Sequence, residues 1–191
     1  FIKLNSFHET SYRNVTKGYD VKSSGTSKVD GFGSFETEYS ITMNKNLWTD
    51  LATVENELGA LKGAVKSNDP KIQSLGQRAL DKNFLHNFKF TIYDNGLVDI
   101  MHSFIKNKVP AFRKMSRYQL SAEANKIISK ELQRQPNVAE MVNPPISRFI
   151  NGAGEISLTI NPQGGMSIYE RFKLISDFDD FIAMFNVRLV N

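Results

Sequence analysis

From Phe35 onward, Phe35, Thr37, Tyr39, Ile41 and Met43 alternate with Glu36, Glu38, Ser40 and Thr42. Side chains on an extended chain point to opposite sides in turn, so this alternation predicts a strand with one buried and one wetted face. Upstream, residues 1–30 are rich in Ser, Thr, Asn and Lys, with short apolar pieces at Ile2/Leu4 and Tyr19/Val21 that suit short strands of a meander. Ser23 to Gly33 reads as a flexible loop. After Asn44 to Asn46 the period changes. Leu47, Leu51, Val54, Leu58, Leu61 and Val65 recur at steps of three and four, predicting an amphipathic helix of about five turns. Asp69-Pro70 opens a second helix to about Lys82, with aspartate as cap and proline where its missing N–H costs nothing.

A second strand is predicted from Phe84, with Phe84, His86, Phe88, Phe90 and Ile92 on one face and Leu85, Asn87, Lys89, Thr91 and Tyr93 on the other. Asp94-Asn95-Gly96 follows. The spacing of Leu97, Val98, Met101, Phe104 and Ile105 is helical, so these three residues read as a strand-turn-helix connection rather than a hairpin, the helix ending before Pro110. A further helix runs from Ser116 or Ser121 to Gln135, turning Leu120, Ala124, Ile127, Ile128 and Leu132 inward, with Glu131 inside the apolar arc. Pro136 ends it, and Pro144-Pro145 opens a short helix holding Ile146, Phe149 and Ile150. Ile156, Leu158 and Ile160 form a strand, Ile168 to Ile175 and Phe178 to Ile182 have helical spacing, and Val187 and Leu189 close the chain with a short strand. Strands and helices mix without βαβ regularity. The expected class is therefore α+β, a largely antiparallel sheet with several amphipathic helices packed on it, in one domain over residues 1–191.

Composition narrows the chemistry. Apolar residues at 40% and charged residues at 23% are ordinary for a globular chain, and no apolar run approaches the roughly 20 residues a membrane-spanning helix needs. Cysteine is absent, which removes disulfides, thiolate catalysis and Cys-ligated metals. The chain starts at Phe1 without a basic start and apolar core, so either a signal or anchor has been removed or the sequence is a fragment.

Gly152-x-Gly154 and Gly31-x-Gly33 precede strands, whereas a phosphate-cradling loop needs its glycines between a strand and a helix. They read as turn glycines. His8, His86 and His102 lie far apart, with no metal-ligand spacing; His86 reads as a partly buried packing residue and His102 as lying on the polar side of its helix. Asp177, Asp179 and Asp180 lack the turn and distal glutamate of a calcium loop and read as helix-start charges. No Gly-x-Ser-x-Gly or comparable nucleophile motif occurs. No catalytic residue, cofactor-binding residue or metal ligand is assigned, and a non-enzymatic role is expected.

Charge is placed regionally. Eight cations from Lys106 to Arg134 face only Glu123 and Glu131, a local +6 in a chain of net +4. Lys126, Lys130 and Arg134, four apart, form a basic stripe beside the apolar face of their helix and are the candidate contacts for an anionic surface. The same stripe could follow a phosphate backbone, although no RNA-binding aromatic motif or zinc finger supports nucleic acid, or simply solvate the outside of a helix. Phenylalanine is abundant at 14 residues, and its clusters at Phe84, Phe88 and Phe90 and at Phe172, Phe178, Phe181 and Phe185 could line a cavity for an acyl chain or form a packed core.

Three segments, "GFGSFETEYSITMNKNLWTDLATVENEL", "LHNFKFTIYDNGLVDIMHSFIKNK" and "ISRFINGAGEISLTINPQGGMSIYERF", together resemble bacterial cell-envelope proteins of unknown function. The residues that carry the likeness are Asp94, Gly96 and Leu97, then Gly154, Ile156, Leu158, Ile160 and Pro162. The resemblance implies an exported, periplasm-facing, membrane-associated domain and carries over no catalytic residue; with the basic stripe it leads to an expected partner that is an anionic membrane surface or an envelope protein. Its alternatives are a carrier of lipid or another hydrophobic ligand and a hydrolase whose site is assembled from scattered residues.

Overall fold

The computed structural model describes residues 4–15, 18–29, 33–45 and 83–191. The two helices expected between Leu47 and Lys82 lie outside the described residues. Among the described residues six strands pair in chain order into one antiparallel sheet: β1 (Leu4–Val15), β2 (Gly18–Val29), β3 (Gly33–Asn44), β4 (Phe84–Asp94), β5 (Glu155–Ile160) and β6 (Val187–Val190). Between β4 and β5 come α1 (Leu97–Lys108), a short 3-10 turn (Pro110–Phe112), α2 (Arg117–Glu131) and α3 (Pro136–Ile150); α4 (Ile168–Lys173) and α5 (Phe178–Phe185) separate β5 from β6. The expected α+β class is what the chain adopts.

Residues directly opposite in an antiparallel pair share a face of the sheet. Register therefore lines up apolar rows across four strands: Tyr39, Phe88, Ile160 and Val187 in one, Thr37, Phe90, Leu158 and Leu189 in the next, then Phe35, Ile92 and Ile156. Phe35 and Phe90 stack at 6.2 Å between centroids. The opposite face is polar. It carries the rows Glu38, Lys89, Thr159 and Arg188, and Glu36, Thr91, Ser157 and Val190. Within it Thr91 and Ser157 are both buried and bond each other at 2.8 Å, so neither hydroxyl is left unsatisfied.

The N-terminal part departs from expectation. In place of short strands and a loop at Ser23 to Gly33, β1 and β2 are each 12 residues long and pair from Leu4↔Val29 to Val15↔Gly18. Their Ser and Thr side chains bond across the ladder, Ser6 to Ser27 and Thr10 to Ser23, so a polar sequence still makes a regular sheet. The alternation expected in β4 also breaks. A register shift after Ser40↔Asn87 pairs Ile41 with Leu85 and leaves His86 extra, so Leu85 joins the Ile41 face and Phe84 the Thr42 face. One inserted residue reverses the pleat upstream of it.

Helix ends follow local chemistry. Asp94 Oδ1 accepts from the N–H groups of Gly96 and Val98, and Gly96 has φ 114°, a conformation open to glycine, so the strand turns into α1 as expected. Ser116 caps α2 in a reciprocal box with Gln119, and Ser167 caps α4 with Glu170. Pro136 starts α3 instead of ending α2, and Pro144-Pro145 lies inside that helix instead of opening another. Phe178, Phe181, Phe185 and Phe172 form a chain of ring contacts 5.0–5.8 Å apart, where the C-terminal helices meet.

Candidate binding site

α1 presents two apolar sides. Val98 and His102, four apart, are buried, while Ile100, Met101 and Phe104 project outward at 38%, 53% and 62% exposure. At 100° per residue, Ile100, Phe104, Lys108 and Met101 form one continuous outer arc. Lys108 lies 5.9 Å from the Phe104 ring, a cation over an aromatic face. The chain then continues through exposed Val109, Arg113 and Lys114 to Tyr118, which is 75% exposed. Outward apolar side chains and cations thus alternate over one short segment.

α1 is held to the start of α2 by two ties. Arg117 pairs with Asp99, an ion pair that holds the Asp99 carboxyl below its ordinary pKa. His102 Nε2 bonds the Met115 carbonyl at 3.0 Å. His102 is therefore buried rather than on the polar side of its helix, its ring nitrogen anchored to backbone across the connection. That bond joins residues 13 apart, which helical spacing alone does not reveal.

Lys126, Lys130 and Arg134 are all exposed; Lys126 pairs with Glu123 at 3.1 Å, and Arg134 lies in the turn beyond α2. Ile127, expected inward, is 51% exposed beside them. The inner side of α2 is partly polar: Ser121 Oγ meets Ser147 Oγ of α3 at 2.8 Å and accepts from Asn151 Nδ2.

His8 lies 2.9 Å through Nε2 from Ser23 Oγ, a distance at which a histidine could activate a hydroxyl. Ser23 Oγ is shared with two further partners of the β1–β2 ladder, the Glu9 carbonyl at 3.1 Å and Thr10 Oγ1 at 2.9 Å. His86 is exposed, not a packing residue, and bonds Thr42. Among the described residues no group of three His, Asp or Glu side chains is placed to hold a metal ion.

Gly152 and Gly154 have φ 102° and 83° and carry the chain from α3 into β5, with the Gly154 carbonyl accepting from the Asp94 N–H at 2.7 Å. Their role is backbone geometry. Asp177 caps α5 by accepting from the Asp180 N–H, as its placement at a helix start implies. No protein family matches this chain, and comparison with curated proteins and with solved structures finds no match.

Proposed function

We propose that this chain is a non-catalytic, envelope-associated binding domain that rests on an anionic membrane surface through its helical segment from α1 to α2. The observation that supports it is the outward apolar arc of Ile100, Met101 and Phe104, followed at once by exposed Lys108, Arg113 and Lys114. Large apolar side chains left in water on a helix that already has a buried side need a further environment, and neighbouring cations favour one that is negatively charged. Lys126, Lys130 and Arg134 extend the same positive region. Among the described residues no helix is long and apolar enough to cross a membrane.

Flotation with vesicles of neutral lipid, and of neutral lipid mixed with an anionic one, tests the reading. The wild-type chain should float with the anionic vesicles. A Met101→Ser/Phe104→Ser variant should bind at least about tenfold more weakly through lost apolar burial, and a Lys126→Ala/Lys130→Ala/Arg134→Ala variant about a hundredfold more weakly, since each of the three cations contributes about 1 kcal/mol near such a surface. Equal recovery from both lipids, or variants that match wild type, would discard the membrane contact; circular dichroism confirms that each variant is folded.

A further inference from the structure

The polar face of the sheet carries an open groove of about 320 Å³ across β1 to β4. Its floor is two neighbouring cross-strand rows: Glu9, Ser24 and Glu38 in one, Ser11, Lys22, Ser40 and Asn87 in the other. The bulge in β4 closes one side, because its extra residue brings His86 into the lining next to Asn87. His86 is held in place. Arg13 donates to Asp20, Thr42 gives its only hydroxyl proton to Asp20 at 2.7 Å, and the Thr42 oxygen therefore accepts from His86 Nε2, also at 2.7 Å. Nδ1 has no partner among the described residues.

The charges of the groove are likewise unspent. Among the described residues Glu9, Glu38 and Lys22 enter no ion pair, although Lys22 stands diagonally between the two carboxylates. We propose that this groove binds a short zwitterionic peptide of about two residues by its termini, the ammonium at Glu9 and Glu38 and the carboxylate at Lys22, with His86 and Asn87 facing the peptide unit. Spacing supports the size. Rows two residues apart along a strand are separated by about 7 Å, and an extended dipeptide spans about the same length.

Other ligand classes fit less well. The paired carboxylates repel phosphates, and the polar lining gives an acyl chain nothing to bury against. A sugar ring would need a flat phenyl or indole platform, but Tyr39, the one Phe, Tyr or Trp at the groove among the described residues, is paired opposite Phe88 and so turns its ring to the apolar face.

Titration of the isotope-labelled protein with glycylglycine, followed by amide resonances, is the test. Saturable shifts are expected at Lys22, Ser24, Glu38, His86 and Asn87. N-acetyl-glycylglycine, which lacks the ammonium, and glycylglycinamide, which lacks the carboxylate, should each bind about tenfold more weakly. Lys22→Gln should erase the preference for the free carboxylate, and Glu9→Gln/Glu38→Gln the preference for the free ammonium. These positions lie on the sheet surface, and unchanged resonances elsewhere verify the fold. Capped dipeptides that bind as well as glycylglycine, shifts that never saturate, or saturation by glucose instead would overturn the assignment.

Discussion

Arg171 in α4 is only 4% exposed and meets no carboxylate among the described residues; its guanidinium donates to the carbonyls of Met184, Gln163 and Gly164 and lies 5.9 Å from the Phe185 ring. Met184 belongs to the last turn of α5, where the carbonyls carry the negative end of the helix dipole, so backbone oxygen substitutes for a counter-ion. Arg171→Met should cost about 3 kcal/mol in urea unfolding, since it strips charged hydrogen bonds and leaves buried carbonyls unpaired. Tyr93 gives a spectroscopic check on the polar face. Its hydroxyl donates to Glu36 at 2.7 Å, and that bond to a carboxylate, with burial, raises its pKa from 10.0 to about 12. An ultraviolet tyrosinate titration should show one late phenol that Glu36→Gln returns toward 10.0. Asp20 runs the other way. The hydrogen bonds from Arg13 and Thr42 lower its pKa, so the stability it lends is present above its unfolded pKa and is lost as pH falls through the lower folded value. Asp20→Asn should flatten that acid limb of the stability curve relative to wild type.

Caps and register govern the elements. Ser116 accepts from the Gln119 N–H while the Gln119 side chain accepts from the Ser116 N–H, satisfying two donors at the start of α2. Ser116→Ala should destabilise the chain by about 1 kcal/mol, read as a lower urea midpoint with unchanged slope. The sequence left the start of α2 open between Ser116 and Ser121, whereas the alternation of β3 and β5 and the turn at Asp94 to Gly96 were legible in it. What escaped sequence reasoning was set by contacts between distant residues. β1 and β2 read as only short strands with a loop at Ser23 to Gly33 because Ser, Thr and Lys dominate them, but their full length follows from a backbone ladder whose groups pair along a partner in register. The His86 bulge leaves no mark in composition; the alternation of Phe84 to Ile92 reads as unbroken until Ile41 is seen opposite Leu85. Pro144-Pro145 suggests a start because proline cannot donate to the preceding turn, yet Pro136 already supplies the first helical position and α3 continues through the pair. The outer apolar arc of α1 was present as helical spacing. That spacing cannot distinguish side chains turned to the core from those turned to water, and it assigned His102 and Ile127 to the wrong sides.

Across the whole molecule, charge divides the two candidate surfaces. The region from Lys106 to Arg134 carries +6, and the remainder therefore carries −2 to give the net +4. The groove lies in that remainder, with Glu9 and Glu38 against Lys22. A negative membrane should thus attract the helical region and have no net pull on the rest, orienting the chain as it approaches. Salt separates the contributions of charge and apolar burial. At about 1 M salt the screening length shrinks to roughly 3 Å, so attraction between the lysines and the lipid fades, whereas burial of Met101 and Phe104 does not depend on screening. Binding to anionic vesicles should consequently fall as salt rises but level off above zero for the wild-type chain. The Met101→Ser/Phe104→Ser variant should fall to nothing, and the Lys126→Ala/Lys130→Ala/Arg134→Ala variant, which keeps Lys108, Arg113 and Lys114, should start lower and fall less steeply to the same plateau. A wild-type curve that drops fully to zero would mean that charge alone holds the surface, and that the exposed arc of α1 takes no part in the contact.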